Sequence, residues 1–378
     1  MELEKVIREE LETSPKKRIT FERFMDLALY HPDHGYYTSG TVEIGARGDF
    51  FTSSSLGTDF GELLAEQFVE MAEILDARSF TLVEVGAGSG VLARDILDYL
   101  RRQHAGFYEN LRYIIVEQSP GLIDRQRETL RECVDIIDKV CWKTWEELDS
   151  IEGCIFSNEL IDAFPVHQVV IQSGELREIY VTANGETFEE VVGELSTDDI
   201  RAYFELVGVK IPSDAYPEGY RTEVNLGALR WLETVSAKID RGYLVSIDYG
   251  YPAEKYYHPQ RYRGTLQCYF QHKRHENPYL YIGQQDITTH IDFTALERQG
   301  EKVGLSRLGF TRQGMFLMAL GLGDRLLDLS SPKVDIATVF RRRDALHQLI
   351  DPTGLGGFGV MIQGKRVPDR VLRGLREG

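Results

Sequence analysis

Short runs dominated by apolar and β-branched residues punctuate the middle of the chain, and longer segments between them repeat their apolar residues every three to four positions. Runs of the first kind are expected as buried strands and segments of the second kind as helices with one face on a core. The strands expected on this basis are Phe80–Val85, 112–117, a weaker one near Val134–Ile137, Gly153–Leu160, Gly242–Gly250, Leu305–Arg312 and Gly357–Gln363. The helices expected between and before them are 2–13, 20–30 with Thr20 as N-cap, 58–75, Ser89–Arg102, 119–131 with Pro120 in its first turn, and one near 331–348. Seven strands interleaved with helices predict an α/β fold, a Rossmann-like seven-strand sheet.

The alternation breaks twice. Residues 167–172, 176–183 and 187–192 alternate with period two across Ser173-Gly174 and Asn184-Gly185 turns, which predicts an antiparallel meander. Helices near 197–207 and 220–239 follow it. Tyr, His, Gln and Arg then crowd the stretch after Gly250, before Thr288–Phe293 leads into a helix near 294–303. The organisation expected is an N-terminal helical and lid segment at 1–78, the first part of the core at 79–165, an inserted meander with helices at 166–240, a core strand at 241–250, a second insertion at 251–292 and the rest of the core at 293–378. The aromatic and hydroxyl-rich loop at 36–51 is expected as a lid that keeps water from the site.

Composition narrows the partners. Among 378 residues, 60 Asp and Glu outnumber 43 Lys and Arg, a net charge of -17. Such a chain repels a phosphate backbone, so nucleic acid is not expected, whereas a basic protein side chain is attracted. Four cysteines, Cys133, Cys141, Cys154 and Cys268, lack any paired CxxC spacing, which fits thiols in a reducing compartment and neither a disulfide frame nor a metal site. No apolar run approaches the ~20 residues of a spanning helix, so no membrane insertion is expected. The N-terminal Met-Glu-Leu-Glu-Lys-Val-Ile-Arg-Glu-Glu lacks the features of a signal peptide, and its acids argue against a transit peptide, so a cytosolic, cytoplasmic location is expected.

The candidate chemistry sits at strand ends. Val83-Glu84-Val-Gly86-Ala-Gly88-Ser-Gly90 runs from a strand through a glycine turn into a helix, and Glu117 closes the next strand. The helix N-terminus favours an anion, the glycines admit close approach, and Glu117 can accept from ribose hydroxyls. The G-x-G-x-G spacing differs from the dinucleotide G-x-G-x-x-G and suits a single carboxylate, as on the methionine end of S-adenosylmethionine. Glu84, Gly86, Gly88, Gly90, Glu117 and Asn158 are the cofactor-binding candidates. Glu159, Asp162 and Asp248 are candidate carboxylates for a cationic acceptor, and His290 is a candidate general base. Against each stands the plainer role of a helix cap, an ion pair or a hydrogen-bonded loop residue.

These segments resemble the MidA-like family of S-adenosylmethionine-dependent methyltransferases, which includes the mitochondrial complex I assembly arginine methyltransferase. The resemblance is carried by Tyr30–Tyr37, Gly48–Ser53 with Phe60-Gly61, Val83–Gly90, Ser157–His167, Ile247–Gly250, Arg263–Leu266 and Asp286–Phe293. It implies a methyltransferase core with insertions, S-adenosylmethionine as methyl donor, the glycines and Glu117 around the cofactor, and Asn158-Glu159 beside the methyl. It further implies a protein substrate, an arginine on a respiratory-complex subunit in the mitochondrial member, and leaves homodimerisation open. Many relatives read Pro-Glu where this chain has Ser54-Ser55. A SAM-binding assembly factor without catalysis and an NAD-dependent dehydrogenase are the competing readings.

Overall fold

The structure is a computed structural model that describes residues 2–39, 53–133, 135–329 and 336–376. Most of the loop expected as a lid, from residue 40 to 51, lies outside the described residues. Two compact units are formed, one from residues 1–43, 161–232 and 250–299, the other from 44–160, 233–249 and 300–378.

The second unit holds a seven-stranded sheet. Its strands are β1 Phe80–Val85, β2 Leu111–Val116, β3 Val140–Lys143, β4 Ile151–Asn158, β5 Ile239–Asp248, β6 Ser306–Arg312 and β7 Gly359–Lys365, in spatial order β6-β7-β5-β4-β1-β2-β3. β7 runs antiparallel to both β5 and β6, while β5, β4, β1, β2 and β3 are mutually parallel. Every residue of β1 is buried, as a central strand covered on both faces requires. Around the sheet lie α1 Asp59–Leu75, α2 Val91–Gln103, α3 Pro120–Arg131, α4 Gln313–Ala319 and α5 Ile336–Ile350. Phe60, Leu64 and Phe68 give α1 its apolar stripe, and Phe68 packs on Phe156 of β4 with ring centroids 5.0 Å apart.

The first unit carries the N-terminal helices Glu2–Thr13 and Phe21–Tyr30, the latter capped by the Thr20 side chain accepting from Arg23 N at 3.1 Å. Its five-stranded antiparallel sheet joins Ile19–Thr20, Glu175–Asn184, His167–Gln172 and Arg221–Val224 in that order, with Thr187–Gly193 also on Glu175–Asn184. A separate ribbon pairs Lys273–His275 with Gln267–Phe270 and the latter with Asp286–Thr288. Among the described residues no helix is long and apolar enough to cross a membrane.

Two expectations are corrected, and three short helices had no counterpart among the expected elements. The strand expected near Val134–Ile137 is β3, a few residues later. Asp135 is left-handed (φ 66°), residues 137–139 form a 3₁₀ turn, and Ile136 is apolar because it is fully buried in the core. The helix expected from 220 starts at Leu226, because Arg221–Val224 is taken up as a strand beside His167–Val170. Helices Ala105–Asn110, Gln313–Ala319 and Leu322–Asp328 are too short to show a clear period in the sequence.

Candidate functional site

The strand register brings one set of expected residues to a common edge. Val85 pairs with Val116 on one side and Ser157 on the other, and Ser157 pairs with Ser246. The next residues along, Gly86, Glu117, Asn158 and Ile247, therefore leave the sheet together at the C-terminal ends of β1, β2, β4 and β5. Strand order reverses at β1, with β2 on one flank and β4 on the other, and ligands of open α/β sheets bind at such a point.

The chain between β1 and α2 turns on three left-handed glycines, Gly86 (φ 70°), Gly88 (φ 51°) and Gly90 (φ 81°). Any other residue there would bring its β-carbon against a carbonyl oxygen. Gly86 N donates to Val116 O at 3.2 Å and Gly90 N to Ala87 O at 2.8 Å, which holds the turn at the N-terminus of the thirteen-residue α2. The unbonded amides of that helix end favour a carboxylate.

Glu117 stands just past β2. Its Oε1 accepts from Gln118 N at 2.8 Å and Ser119 N at 3.0 Å, and its Oε2 from Gln126 Nε2 at 3.1 Å. Burial pushes its pKa up, and these three donors oppose the shift. Gln126 also donates to Gly88 O at 3.1 Å and accepts from Trp142 Nε1 at 2.8 Å. Sequence reasoning missed Gln126. Its signal is helical spacing, because Gln126 and Leu130 are the two buried residues of α3 and share one face.

Glu84 is set deeper. It is 3% exposed, accepts from Tyr113 OH at 2.7 Å, and burial lifts its pKa to about 7, with the Tyr113 bond opposing and Glu117 adding. Its carboxyl is held by Tyr113 of the neighbouring strand β2.

At the end of β4, Glu159 is left-handed (φ 52°), an uncommon and strained state for a residue with a side chain. Three bonds hold it: Glu159 N to Ile247 O at 2.9 Å, and its Oε1 accepting from Ser53 N at 3.0 Å and from Asn158 Nδ2 at 3.1 Å. Ser53 is fully buried and its hydroxyl lies 3.2 Å from Gln313 Oε1. Ser53 and Gln313 were not expected, since nothing in the sequence relates positions 53, 159 and 313. Ser54-Ser55 continue the single turn Ser53–Leu56 that Ser53 anchors on Glu159. Asp248 ends β5, 1% exposed, its Oδ1 accepting from Tyr249 N at 2.8 Å. Asn158 Oδ1 is buried with no hydrogen-bond partner among the described residues, an acceptor suited to the ammonium of an amino-acid ligand.

Asp162 and His290 belong to the other unit. Asp162 O accepts from Thr289 N at 2.9 Å, next to His290. The His290 ring stacks on Tyr251 with centroids 5.1 Å apart, and its backbone N donates to Thr265 Oγ1 at 3.1 Å. Desolvation, with Arg261 and Arg274 adding, lowers its pKa to about 4, so the ring is neutral at pH 7 and weakly basic. The site residues expected from sequence thus divide, with Glu84, Gly86, Gly88, Gly90, Glu117, Asn158, Glu159 and Asp248 at the sheet and Asp162 and His290 apart from it.

The arrangement offers helix amides that suit a carboxylate, an orphan acceptor that suits an ammonium and, in Glu117, an acid that suits hydroxyl donors. The profile of the S-adenosyl-L-methionine-dependent methyltransferase family matches residues 63–311. The chain is 28% identical over 340 residues to the Drosophila melanogaster homolog of the mitochondrial protein arginine methyltransferase NDUFAF7, covering 82% of this chain and 72% of that one. It is 28% identical over 367 residues to the Homo sapiens mitochondrial protein arginine methyltransferase NDUFAF7, covering 89% and 78%. A crystal structure from Burkholderia thailandensis bound to S-adenosyl-homocysteine matches with a TM-score of 0.87 and 30% identity, over 100% of this chain and 95% of that one. The cytosolic location expected from the N-terminus is overturned by the curated relatives, which are mitochondrial proteins. The expected methyl donor, S-adenosylmethionine, and the expected enzyme class stand on the same matches. On its matched profile and on a structural likeness that spans its whole length, the chain belongs to the S-adenosyl-L-methionine-dependent methyltransferase family.

Proposed function

We propose that this methyltransferase modifies an arginine side chain of a protein, with a respiratory-complex subunit as the acceptor protein. The observation that carries the site assignment is the common edge on which the glycine turn, Glu117, Asn158, Glu159 and Asp248 emerge together. The acceptor class is supported by relatives named protein arginine methyltransferases and by the net charge of -17, which attracts basic protein surfaces.

In this reading Gly86, Gly88 and Gly90 with the N-terminus of α2 hold the methionine carboxylate, Asn158 Oδ1 its ammonium and Glu117 the ribose, with Glu84 buried against Tyr113 at the end of β1. Bound S-adenosylmethionine would supply an electrophilic methyl to the acceptor nitrogen, with the sulfur of S-adenosylhomocysteine as the leaving group. Positioning supplies most of such a rate, and Glu159, fixed by Ser53 N and Ile247 O, is a rigid carboxylate for that purpose. Asp248 adds a second negative charge at the same edge, and the pair stabilises charge on a guanidinium. Asp162 and His290, both in the other unit, take no part in this reading, and His290 is neutral at pH 7 and a weak base.

Quantitative mass spectrometry of the proteome with and without this protein tests the proposal. Loss of methyl-arginine from one or a few peptides is the expected result. An unchanged arginine methylome, with methyl loss at another atom, overturns the acceptor assignment.

A further inference from the structure

Between Gly250 and Asp286, in the unit that carries the N-terminal helices, the balance of charge reverses. Five Lys and Arg stand there against two Glu, in a chain whose net charge is -17. Three of those cations gather on one aromatic stack. The Tyr251 ring lies nearly parallel to His290, with centroids 5.1 Å apart and an interplanar angle of 10°. Lys255 Nζ stands 4.6 Å and the Arg261 guanidinium 4.5 Å from the centre of the Tyr251 ring. Arg274 comes from the ribbon, where it pairs in register with Tyr269, and its charge acts together with that of Arg261 on His290.

Like charges brought together repel, and an acid placed among them relieves the strain. Acids are plentiful in this chain, yet none of Lys255, Arg261 and Arg274 forms an ion pair among the described residues. Arg263, close by in sequence, does meet an acid, Glu276, at 3.9 Å. Arg261 Nε is buried with no hydrogen-bond partner among the described residues, a donor that an anion would satisfy. The cluster is open to solvent, with Lys255 and Arg274 exposed and Tyr251 and Arg261 half-buried.

Such a cluster repels cations and attracts an anion. Phosphate sites draw on free backbone amides at a helix end or a nest. Here Lys255 N and Tyr256 N donate to Pro252 O at 2.9 Å each, Tyr257 N to Ala253 O at 2.8 Å and Gly264 N to Arg261 O at 3.3 Å, so these amides are already taken. What the cluster offers is side-chain charge at the surface, which suits side-chain carboxylates. We propose that Lys255, Arg261 and Arg274 dock an acidic stretch of the acceptor protein. On a chain whose net charge repels acids, this island fixes which way the acceptor faces. The role rests on a protein acceptor, whichever of its atoms is methylated.

The first test measures binding of a labelled oligo-glutamate peptide to the whole chain by fluorescence anisotropy at fixed ionic strength. The double variant Lys255→Gln, Arg274→Gln changes two exposed side chains and is expected to weaken binding about tenfold or more, as loss of charge-assisted hydrogen bonds implies. Lys210→Gln, which removes an exposed charge elsewhere in the same unit, is expected to leave it unchanged. Wild-type affinity in the double variant overturns the docking site, and tighter binding of a phosphoserine peptide of equal net charge overturns the carboxylate. The second test uses tritiated S-adenosylmethionine and a lysate from cells lacking the protein, with total tritium in protein as the readout. The double variant is expected to need about tenfold more lysate for half-maximal incorporation, at unchanged maximal rate and unchanged cofactor affinity by calorimetry. Weakened peptide binding with unmoved half-saturation overturns the acceptor as the bearer of the acidic stretch. Tritium in protein that yields no methyl-arginine on hydrolysis overturns the arginine assignment alone, and the half-saturation shift still decides the docking site.

Discussion

The side-chain amide of Gln126 donates at 3.1 Å both to Gly88 O and to Glu117 Oε2, so one residue of α3 ties the glycine turn to the acid of the next strand. Gln126→Met keeps the volume and removes the tie, leaving a carbonyl, a carboxylate oxygen and Trp142 Nε1 without it. The expected outcome is a stability loss of about 1–3 kcal/mol from unsatisfied buried groups. Weaker S-adenosylmethionine binding should accompany it, both read by denaturant unfolding and calorimetry. Unchanged cofactor affinity would show that the turn and Glu117 hold their places unaided.

Gly88→Val places a β-branched residue at φ 51°. The left-handed conformation costs about 1–2 kcal/mol for a residue with a β-carbon, and the branch also projects toward the ligand. A folded protein with a small drop in melting temperature and no measurable S-adenosylmethionine binding is expected.

Glu159→Gln keeps an oxygen to accept from Ser53 N and Asn158 Nδ2 while removing the charge. Stability should be little changed. If Glu159 stabilises positive charge on the acceptor, turnover falls by roughly tenfold or more at unchanged cofactor affinity, the scale of one hydrogen bond to a charged group. Full turnover in this variant would assign Glu159 to anchoring the Ser53 turn alone.

Glu84 makes stability depend on pH. Its folded pKa, raised by burial to about 7 from the usual 4.5, means that the native state holds a proton which the unfolded chain has released between those values. Stability contributed by this group is therefore complete below about pH 4.5 and falls as pH rises toward 7, by about 3 kcal/mol for a shift of this size. Glu84→Gln can still accept from Tyr113 OH and removes the dependence. The difference in unfolding free energy between variant and wild type, followed from pH 4.5 to 7.5, should grow in favour of the variant.

Six of the seven core strands, the meander and the glycine turn were legible because each is written locally. Phe80–Val85 is rich in apolar and β-branched residues and is buried throughout, and the turn needs glycine at its left-handed positions. β3 was misplaced because Ile136 is apolar for packing rather than pairing, and the two demands look alike in four residues.

The sequence by itself determined the strands, the turn and the acids at strand ends, since period, propensity and backbone sterics act over a few residues. Only the tertiary structure decided which of those acids share an edge: parallel register aligns Glu117, Asn158 and Asp248, and Glu159 is tied to Ser53 106 positions earlier. It likewise placed Asp162 and His290 in the other unit and set Tyr269 opposite Asp286. Hydrogen bonds between residues so distant in the chain follow from how the sheets close, and no local pattern encodes them.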